Sequence, residues 1–354
     1  MKKAFLAVLL LVSTLVSAQT FKPNLGVHYW DNQWTKTTAA GVYSNPELKQ
    51  IDFGVYWRNL EPIEGLYDWS LIKNELDSAV KYKKQVGIVI GSGGSSPDWV
   101  NKNNRYTITG VRADGEGKTY TISYPYPFDT AYTEAWCRFI DAFGAFVRVN
   151  PNYVKAIAAI NIGGITITNG EFRLPQQNPT SFTPTLTKTD NMWVENGYDN
   201  IQVIQTWQKF KNAWARNFPN AMFYVNMMSR YEFPEYANPS MDKESNFIND
   251  SILSIIANTK NPDRYVVINT SLTATTKERN DFIGKANQLG INVAFQLNEG
   301  MYNNDYSEDG AAQAIENAIK LKGKFIQFQP IAAESYKELI KSTNQSYYSL
   351  YGTK

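Results

Sequence analysis

Eight short runs of apolar and β-branched residues recur along the chain, each bounded by turn-forming residues. They are Leu25–Trp30, Asp52–Trp57, Val86–Gly91, Ala156–Ile162, Met222–Asn226, Tyr265–Asn269, Asn292–Leu297 and Phe325–Gln329. Strands buried on both faces of a parallel sheet have continuous apolar runs rather than strict alternation. The pattern therefore predicts eight buried parallel strands.

Helical patterns fill the intervals between these runs. Ser70–Lys84 has an apolar stripe on one side and lysines near its end, where the helix dipole favours cations. Similar patterns cover Asp129–Val149, Ile201–Asn217, Ser245–Asn258, Lys277–Leu289, Ala311–Leu321 and Ser335–Tyr351, with a short helix around Asn45–Gln50. Eight strands that alternate with helices predict an α/β fold, a single-domain (β/α)8 TIM barrel. A doubly wound open sheet is the alternative, but no glycine-rich phosphate turn follows the first strand.

Long loops are concentrated after the third, fourth and fifth strands, at about 91–128, 163–199 and 227–244. The connections that return from helices to strands are short, as in Gln288–Gly290 and Lys322–Lys324. In a (β/α)8 barrel the active site lies at the carboxyl ends of the strands. Because the long loops all leave from those ends, they predict a walled substrate cleft on that face.

The first eighteen residues have the pattern of a secretory signal peptide. Lys2 and Lys3 precede the apolar run Ala4–Val16, and small residues allow cleavage after Ala18. The run is too short to span a bilayer comfortably, and no later stretch reaches eighteen apolar residues. We therefore expect residues 19–354 to form the barrel domain, in a secreted or periplasmic protein without a membrane span.

Charge and residue counts exclude several functional classes. Lys and Arg number 35 against 33 Asp and Glu, without a basic block, so nucleic acid is not an expected partner. The one cysteine, Cys137, lies among aromatic residues at helical spacing and is predicted to be structural. A single histidine, His28, excludes histidine-rich zinc sites. We expect a monomer without a cofactor or a metal.

Aromatic residues make up 14% of the chain, including 9 Trp and 22 Tyr. Aromatic rings combine apolar surface with defined geometry and pack against the apolar face of a pyranose, so carbohydrate is the predicted partner. Trp30, Trp57 and Trp99 fall at strand exits and are predicted to line the cleft. His28, near the end of the first strand, is interpreted either as a ligand of a sugar hydroxyl or as a buried, hydrogen-bonded histidine.

A specific motif begins at the end of the second predicted strand and continues past the third strand. Residues 56–70 read YWRNLEPIEGLYDWS, residues 84–90 read KQVGIVI, and residues 96–100 read SPDWV. These segments closely resemble clan A glycoside hydrolases of the β-galactosidase-like and cellulase-like branches, in which W-x-x-[IL]-E-P-x-x-G-x-Y-x-W leads into the second helix. Within the motif, Glu61 is predicted to be structural, turning the chain with Pro62 and pairing with Arg58.

The resemblance implies two catalytic glutamates, at the ends of strands four and seven. Strand seven continues as VAFQLNEG, which places Glu299 at the nucleophile position and Asn298 beside it as a substrate-binding residue. Strand four continues as INIGGITITNGEF, in which Glu171 is the candidate acid/base. The family has Asn-Glu directly at the strand end, whereas this chain has Asn169-Gly170-Glu171 beyond Gly163. Asn161 or Asn169 is then the candidate for binding the sugar 2-hydroxyl.

Three hypotheses of function follow. The first is a secreted retaining glycoside hydrolase acting on a poly- or oligosaccharide through Glu299 and Glu171. The second is a non-catalytic carbohydrate-binding barrel that kept the cleft and lost the acid. A hydrolase of another type, using Asp98, Asp129 or Glu232 on neighbouring loops, is a third possibility. Two carboxyl groups converging in one aromatic-lined pocket would distinguish the enzyme from the binding protein.

Overall fold

The computed structural model describes residues 21–31, 34–100, 105–111, 119–166, 170–172, 174, 197–227, 247–276, 282–298 and 307–352. The predicted signal peptide and the start of the predicted helix Lys277–Leu289 lie outside these residues.

Parallel strands close into one barrel. They are β1 (Gly26–Asp31), β2 (Gln50–Tyr56), β3 (Gln85–Gly91), β4 (Ile157–Asn161), β5 (Met222–Met227), β6 (Tyr265–Leu272), β7 (Asn292–Leu297) and β8 (Phe325–Phe328). Each strand pairs in parallel with the next along the chain, and β8 pairs with β1. The closed pairing confirms the predicted (β/α)8 barrel and excludes the open sheet. Every predicted strand is present near its expected bounds.

Helices cover the outside of this barrel. They are α1 (Ala40–Ser44), α2 (Trp57–Leu60), α3 (Ser70–Tyr82), α4 (Thr130–Arg148), α5 (Pro151–Ala156), α6 (Asn200–Asn217), α7 (Phe247–Ala257), α8 (Phe282–Gln288), α9 (Glu308–Lys320), α10 (Pro330–Ser335) and α11 (Lys337–Tyr351). The short helix predicted around Asn45–Gln50 is wrong, because α1 ends at Ser44. Asn45 has extended backbone, the conformation favoured before a proline such as Pro46.

The main apolar core lies between the barrel and its helices. Outward-facing strand residues such as Ile88 and Phe295 belong to it, together with Trp136 of α4 and Trp207 and Trp214 of α6. These three tryptophans are fully buried, as their helical positions predict. Cys137 of α4 is half-buried against the same core, and burial raises the pKa of its thiol. Its position agrees with a structural thiol.

The loop after β3 contains two strands that the sequence reading did not include. Arg105–Val111 and Thr119–Pro125 form an antiparallel hairpin, separate from the barrel sheet. No helix among the described residues is long and apolar enough to cross a membrane.

Candidate functional site

The candidate site is the mouth of the barrel, defined by the carboxyl ends of its strands. Glu171 lies at this mouth because pairing with β5 stops at Asn161 and is resumed by Glu171. The pairing of β4 with β5 sets Asn161 opposite Tyr224, so an uninterrupted strand would set Gly163 opposite Asn226. Instead, Glu171 pairs with Asn226 and Phe172 with Met227. Residues 162–166 therefore leave the strand in an excursion, and Glu171 occupies the strand-four position opposite Asn226.

The start of the excursion is fixed by hydrogen bonds to its carbonyl groups. Tyr132 of α4 donates to the Gly164 carbonyl at 2.6 Å, and Tyr124 of the hairpin donates to the Thr166 carbonyl at 2.5 Å. The Ser92 hydroxyl accepts from the Gly164 amide at 3.0 Å and lies 2.9 Å from the Thr166 hydroxyl. Gly164 has a φ of 104°, a conformation that favours glycine. The excursion is thus held by α4, the hairpin and the end of β3.

Gly170 brings the chain back across the inside of the barrel. A Cβ at this position would lie 2.2 Å from Cγ1 of Val89 and 3.4 Å from the amide oxygen of Asn161. Asn161 is 1% exposed, and neither polar atom of its side chain has a partner among the described residues. Asn161, which is predicted to bind the sugar 2-hydroxyl, therefore lies against Gly170, the residue before Glu171.

The side chain of Glu171 is half-buried and points towards β6, the next strand but one. Thr270 of β6 donates a hydrogen bond to its Oε1 atom at 3.2 Å. Asn226, its partner in the strand pairing, is 5% exposed, and its amide oxygen has no partner within the described part of the chain. The surroundings of the carboxylate thus combine a hydroxyl donor with a buried amide.

The end of β7 carries the second candidate position. Asn298 directly follows β7, donates its backbone N–H to the Leu272 carbonyl at 2.8 Å, and accepts a side-chain hydrogen bond from Gln329 at 3.3 Å. Glu299 is the next residue in the sequence and lies outside the described residues, as does Asn169.

Aromatic residues occupy the ends of β1 and β2. Trp30 is 8% exposed, and its ring meets Trp34 edge-on at 5.9 Å. Trp34, partly exposed and with a φ of 40°, lies over Gly54 and stacks on Tyr56 at 5.0 Å. The guanidinium of Arg58 lies 4.8 Å from the centre of the Tyr56 ring. A positive φ is uncommon for a bulky residue, and here it allows Trp34 to fill the space above a glycine.

Trp57 and Trp99 have structural positions. Trp57 is fully buried in α2, 4.8 Å from the ring of Trp136, and its Nε1 donates to Glu61 at 2.9 Å. Trp99 donates to the Glu61 carbonyl and lies against Trp57. Trp57 therefore packs in the core and offers no face to a ligand.

Glu61 has a structural role, as expected, but its partners are Trp57 and Gly65 and not Arg58. Its carboxylate accepts from the Trp57 indole and from the Gly65 amide at 2.9 Å, while Arg58 donates to the Gly94 carbonyl at 3.5 Å instead. Burial raises the pKa of Glu61, against the lowering effect of these donors. The most specific motif in the sequence therefore builds the packing of α2 and α3 rather than the mouth.

His28 lies in the amino-terminal half of the barrel interior. It pairs in register with Gln50, the first residue of β2, and its ring stacks on Phe325, the first residue of β8, at 4.0 Å. Its Nε2 lies 2.9 Å from the Asn24 carbonyl and its Nδ1 3.2 Å from the Asp52 carboxylate. The buried, hydrogen-bonded interpretation therefore describes His28, away from the mouth.

Two of the alternative carboxylates, Asp129 and Asp98, lie among the described residues. Asp129 accepts from the Ala131 and Tyr132 amides and caps α4, Asp98 is exposed, and Glu232 lies outside the described residues. Within the described ranges, no group of three or more His, Cys, Asp or Glu side chains is placed to hold a metal.

Thr270, Asn226 and Trp34 were not among the predicted site residues. Trp34 lies in the loop after β1, and a tryptophan at that place in the sequence can indicate a binding surface. Thr270 falls directly after the predicted end of β6 at Asn269, so its inward position depends on a strand that runs further than the apolar pattern indicates.

No protein-family model matches the chain, and no curated protein matches it either. Solved structures of similar fold are found, among them xylanase 10B from Thermotoga petrophila RKU-1 in complex with xylobiose. The two chains are 10% identical, the match covers 91% of this chain and 94% of that chain, and the TM-score is 0.48. The class of this protein is defined by its own strand pairing: a (β/α)8 barrel with a half-buried carboxylate at the mouth.

Proposed function

We propose that the protein is an exported glycoside hydrolase that cleaves a poly- or oligosaccharide at the barrel mouth, with Glu171 as general acid/base and Glu299 as nucleophile. The observation that carries this proposal is the position of Glu171 opposite Asn226, at the end of the fourth strand. Active sites of (β/α)8 enzymes lie on this face, and their catalytic residues come from the ends of several different strands.

The chemistry requires one carboxyl group to protonate the leaving oxygen and another to attack the anomeric carbon or activate water. Glu171 is attached to a segment held at both ends, which suits a group that must meet the glycosidic oxygen in a defined geometry. Glu299 follows β7 after Asn298, whose backbone donates to Leu272 of β6 and whose side chain accepts from Gln329, directly after β8. Retention of configuration further requires the two carboxyl groups to lie about 5–5.5 Å apart.

Sugar binding is proposed to involve the aromatic and amide groups of the mouth. Trp34 is partly exposed and presents apolar surface of the kind that packs on a pyranose, and the buried ring of Trp30 meets it edge-on. The unpartnered amide oxygen of Asn226 supplies an acceptor, because a buried polar atom without a partner is costly until a ligand or water satisfies it. Trp57 and His28 are left out because their positions are in the core and in the lower barrel.

The test is a reducing-sugar screen of residues 19–354 against a panel of poly- and oligosaccharides. Glu171→Gln should lower turnover of the best natural substrate by about 10²–10⁴-fold, the usual contribution of general acid–base catalysis. It should affect activated aryl glycosides far less, because a good leaving group needs little protonation. Glu134→Gln, a change of the same kind on the exposed side of α4, is the matched control.

Parent-level turnover of the natural substrate by Glu171→Gln would overturn the acid/base assignment. Parent-level turnover by Glu299→Gln would overturn the nucleophile assignment. Binding of an oligosaccharide, measured by calorimetry, without turnover on any substrate would instead identify a non-catalytic carbohydrate-binding barrel.

A further inference from the structure

Strand β6 contains a bulge where it passes the mouth. Asn269 pairs with Phe295 of β7, and the next pair is Leu272 with Leu297. Thr270 and Ser271 on β6 therefore stand opposite a single residue of β7. A β-bulge of this kind adds one residue to a strand and re-aims a side chain, and such bulges are frequent beside active sites.

The bulge is stabilised locally. The side-chain oxygen of Asn269 accepts a hydrogen bond from the Ser271 amide at 2.8 Å, which satisfies a backbone donor that the interrupted ladder would leave unpaired. On the far side, Asn298 donates its backbone N–H to Leu272 and restores the pairing. The irregularity is thus confined to Thr270 and Ser271.

Thr270 continues the inward-facing positions Val266 and Ile268 of β6, and its side chain meets Glu171. It is 3% exposed, and its hydroxyl donates to Oε1 of Glu171 at 3.2 Å, although the segment containing Glu171 is paired with β5 and not with β6. A glutamate has three rotatable side-chain bonds. A hydrogen bond from a buried donor on another strand restricts rotation about these bonds, which the backbone position of Glu171 alone does not.

We propose that Thr270 is a positioning residue for Glu171: its buried hydroxyl donates to the carboxylate and holds it in the orientation needed for proton transfer to the glycosidic oxygen. The inference rests on the proposed function, since it assigns a role relative to the acid/base. Thr270 acts through Glu171 and is not assigned any contact with the substrate.

The experiment compares Thr270→Val and Thr270→Ser in the mature chain. Valine keeps the β-branched shape that suits a strand and removes only the hydroxyl, whereas serine keeps the hydroxyl. Thr270→Val should lower kcat on the natural substrate by roughly ten- to a hundredfold, the scale of a misplaced catalytic group, with little change in KM. Activated aryl glycosides should be affected much less, and Thr270→Ser should restore most of the activity.

Three results would overturn the proposal. Equal losses on natural and activated substrates would indicate a general structural role, and parent activity in Thr270→Val would indicate no role. A strong loss in Thr270→Ser would show that the hydroxyl is not the important group. In the first two cases a defective Glu171→Gln enzyme would still support the proposed function, so the two failures are distinguishable.

If the protein has no hydrolase activity, crystal structures of the parent and the two variants test whether Thr270 positions Glu171. A single position of the Glu171 carboxylate in the parent and in Thr270→Ser, against several positions in Thr270→Val, would support positioning by Thr270. One unchanged position in all three proteins would overturn it.

Discussion

Glu171 lies directly opposite Asn226 in the strand pairing, although Asn161 lies opposite Tyr224 only two residues earlier on β5. Residues 162–166 leave the strand position, and Glu171 occupies it again. A catalytic position in a barrel is defined by strand register and not by spacing along the chain. Glu171 therefore stands at the end of the fourth strand by its register with β5, although it is distant from Asn161 in the sequence.

The first prediction concerns Gly170, which lets the excursion return across Val89. Gly170→Ala should destabilise the fold by about 1–3 kcal/mol, the usual effect of overpacking, and should displace Glu171 and lower activity. The double variant Gly170→Ala/Val89→Ala should recover part of both losses, because the added methyl lies 2.2 Å from Cγ1 of Val89. Urea unfolding and a turnover assay measure the two effects.

Gly41→Ala is the control for this substitution. Gly41 lies within α1, and a Cβ there meets nothing within 4 Å. Alanine is the better helix former, so this variant should be neutral or more stable by up to about 1 kcal/mol. Equal stability of Gly170→Ala and Gly41→Ala would contradict the close approach inferred at Gly170.

The strands were predictable from sequence because each is buried on both faces. Burial on both faces requires consecutive apolar residues, which are visible in a short stretch of sequence. The excursion was not predictable, since it depends on Tyr132, Tyr124 and Ser92, which are distant in the sequence. Trp57 illustrates the same limit: it follows a strand exit, but α2 begins there and turns its ring into the helical layer. Local patterns identify elements, whereas side-chain direction at their ends depends on tertiary contacts.

The second prediction concerns pH and Glu75, a buried carboxylate of α3. It accepts hydrogen bonds from the Thr38 amide and the Tyr43 hydroxyl, yet burial outweighs them and raises its pKa. The folded protein therefore binds this proton more tightly than the unfolded chain does. Its contribution to the free energy of unfolding is greatest below the unfolded pKa of about 4.3 and is lost as pH rises through the folded pKa.

Glu75→Gln stays neutral at every pH and should remove that loss. Urea unfolding at several pH values, from about 4 to 7, should show a smaller fall in stability with rising pH than in the parent protein. Glu316→Gln, on the exposed side of α9, should leave the pH dependence unchanged. The same fall in stability in Glu75→Gln as in the parent would show that Glu75 is not its source.

The third prediction separates two tryptophans that the sequence does not distinguish. Trp57→Ala should destabilise the protein by about 3–5 kcal/mol, because it empties a fully buried site beside Trp136. Trp34→Ala should cost less stability and should weaken oligosaccharide binding by about 1–3 kcal/mol, the scale of burying such a ring. Thermal unfolding and calorimetry measure the two quantities. Unchanged binding in Trp34→Ala would exclude its ring from the sugar site.

The last prediction concerns Asp52, which organises the polar interior of the lower barrel. Its carboxylate accepts from Gln50 at 2.5 Å and Gln327 at 2.7 Å, and it faces Nδ1 of His28 at 3.2 Å. The other ring nitrogen of His28 faces the Asn24 carbonyl, which can only accept. His28 is therefore held between the Asn24 carbonyl and the Asp52 carboxylate.

Asp52→Asn replaces one acceptor oxygen by an amide group that donates, so a buried donor from His28, Gln50 or Gln327 loses its partner. Breaking a buried polar pair in this way typically costs about 3–5 kcal/mol, and urea unfolding should show a loss of that size. Asp141→Asn is the matched control, since it breaks the exposed pair with Arg216, which contributes about 0–1 kcal/mol. Equal losses in the two variants would mean that the interior network adds no more than a surface ion pair. Because His28 and Asp52 lie away from the mouth, folded Asp52→Asn should bind oligosaccharide as the parent does, and weakened binding at full folding would return His28 to the candidate sugar site.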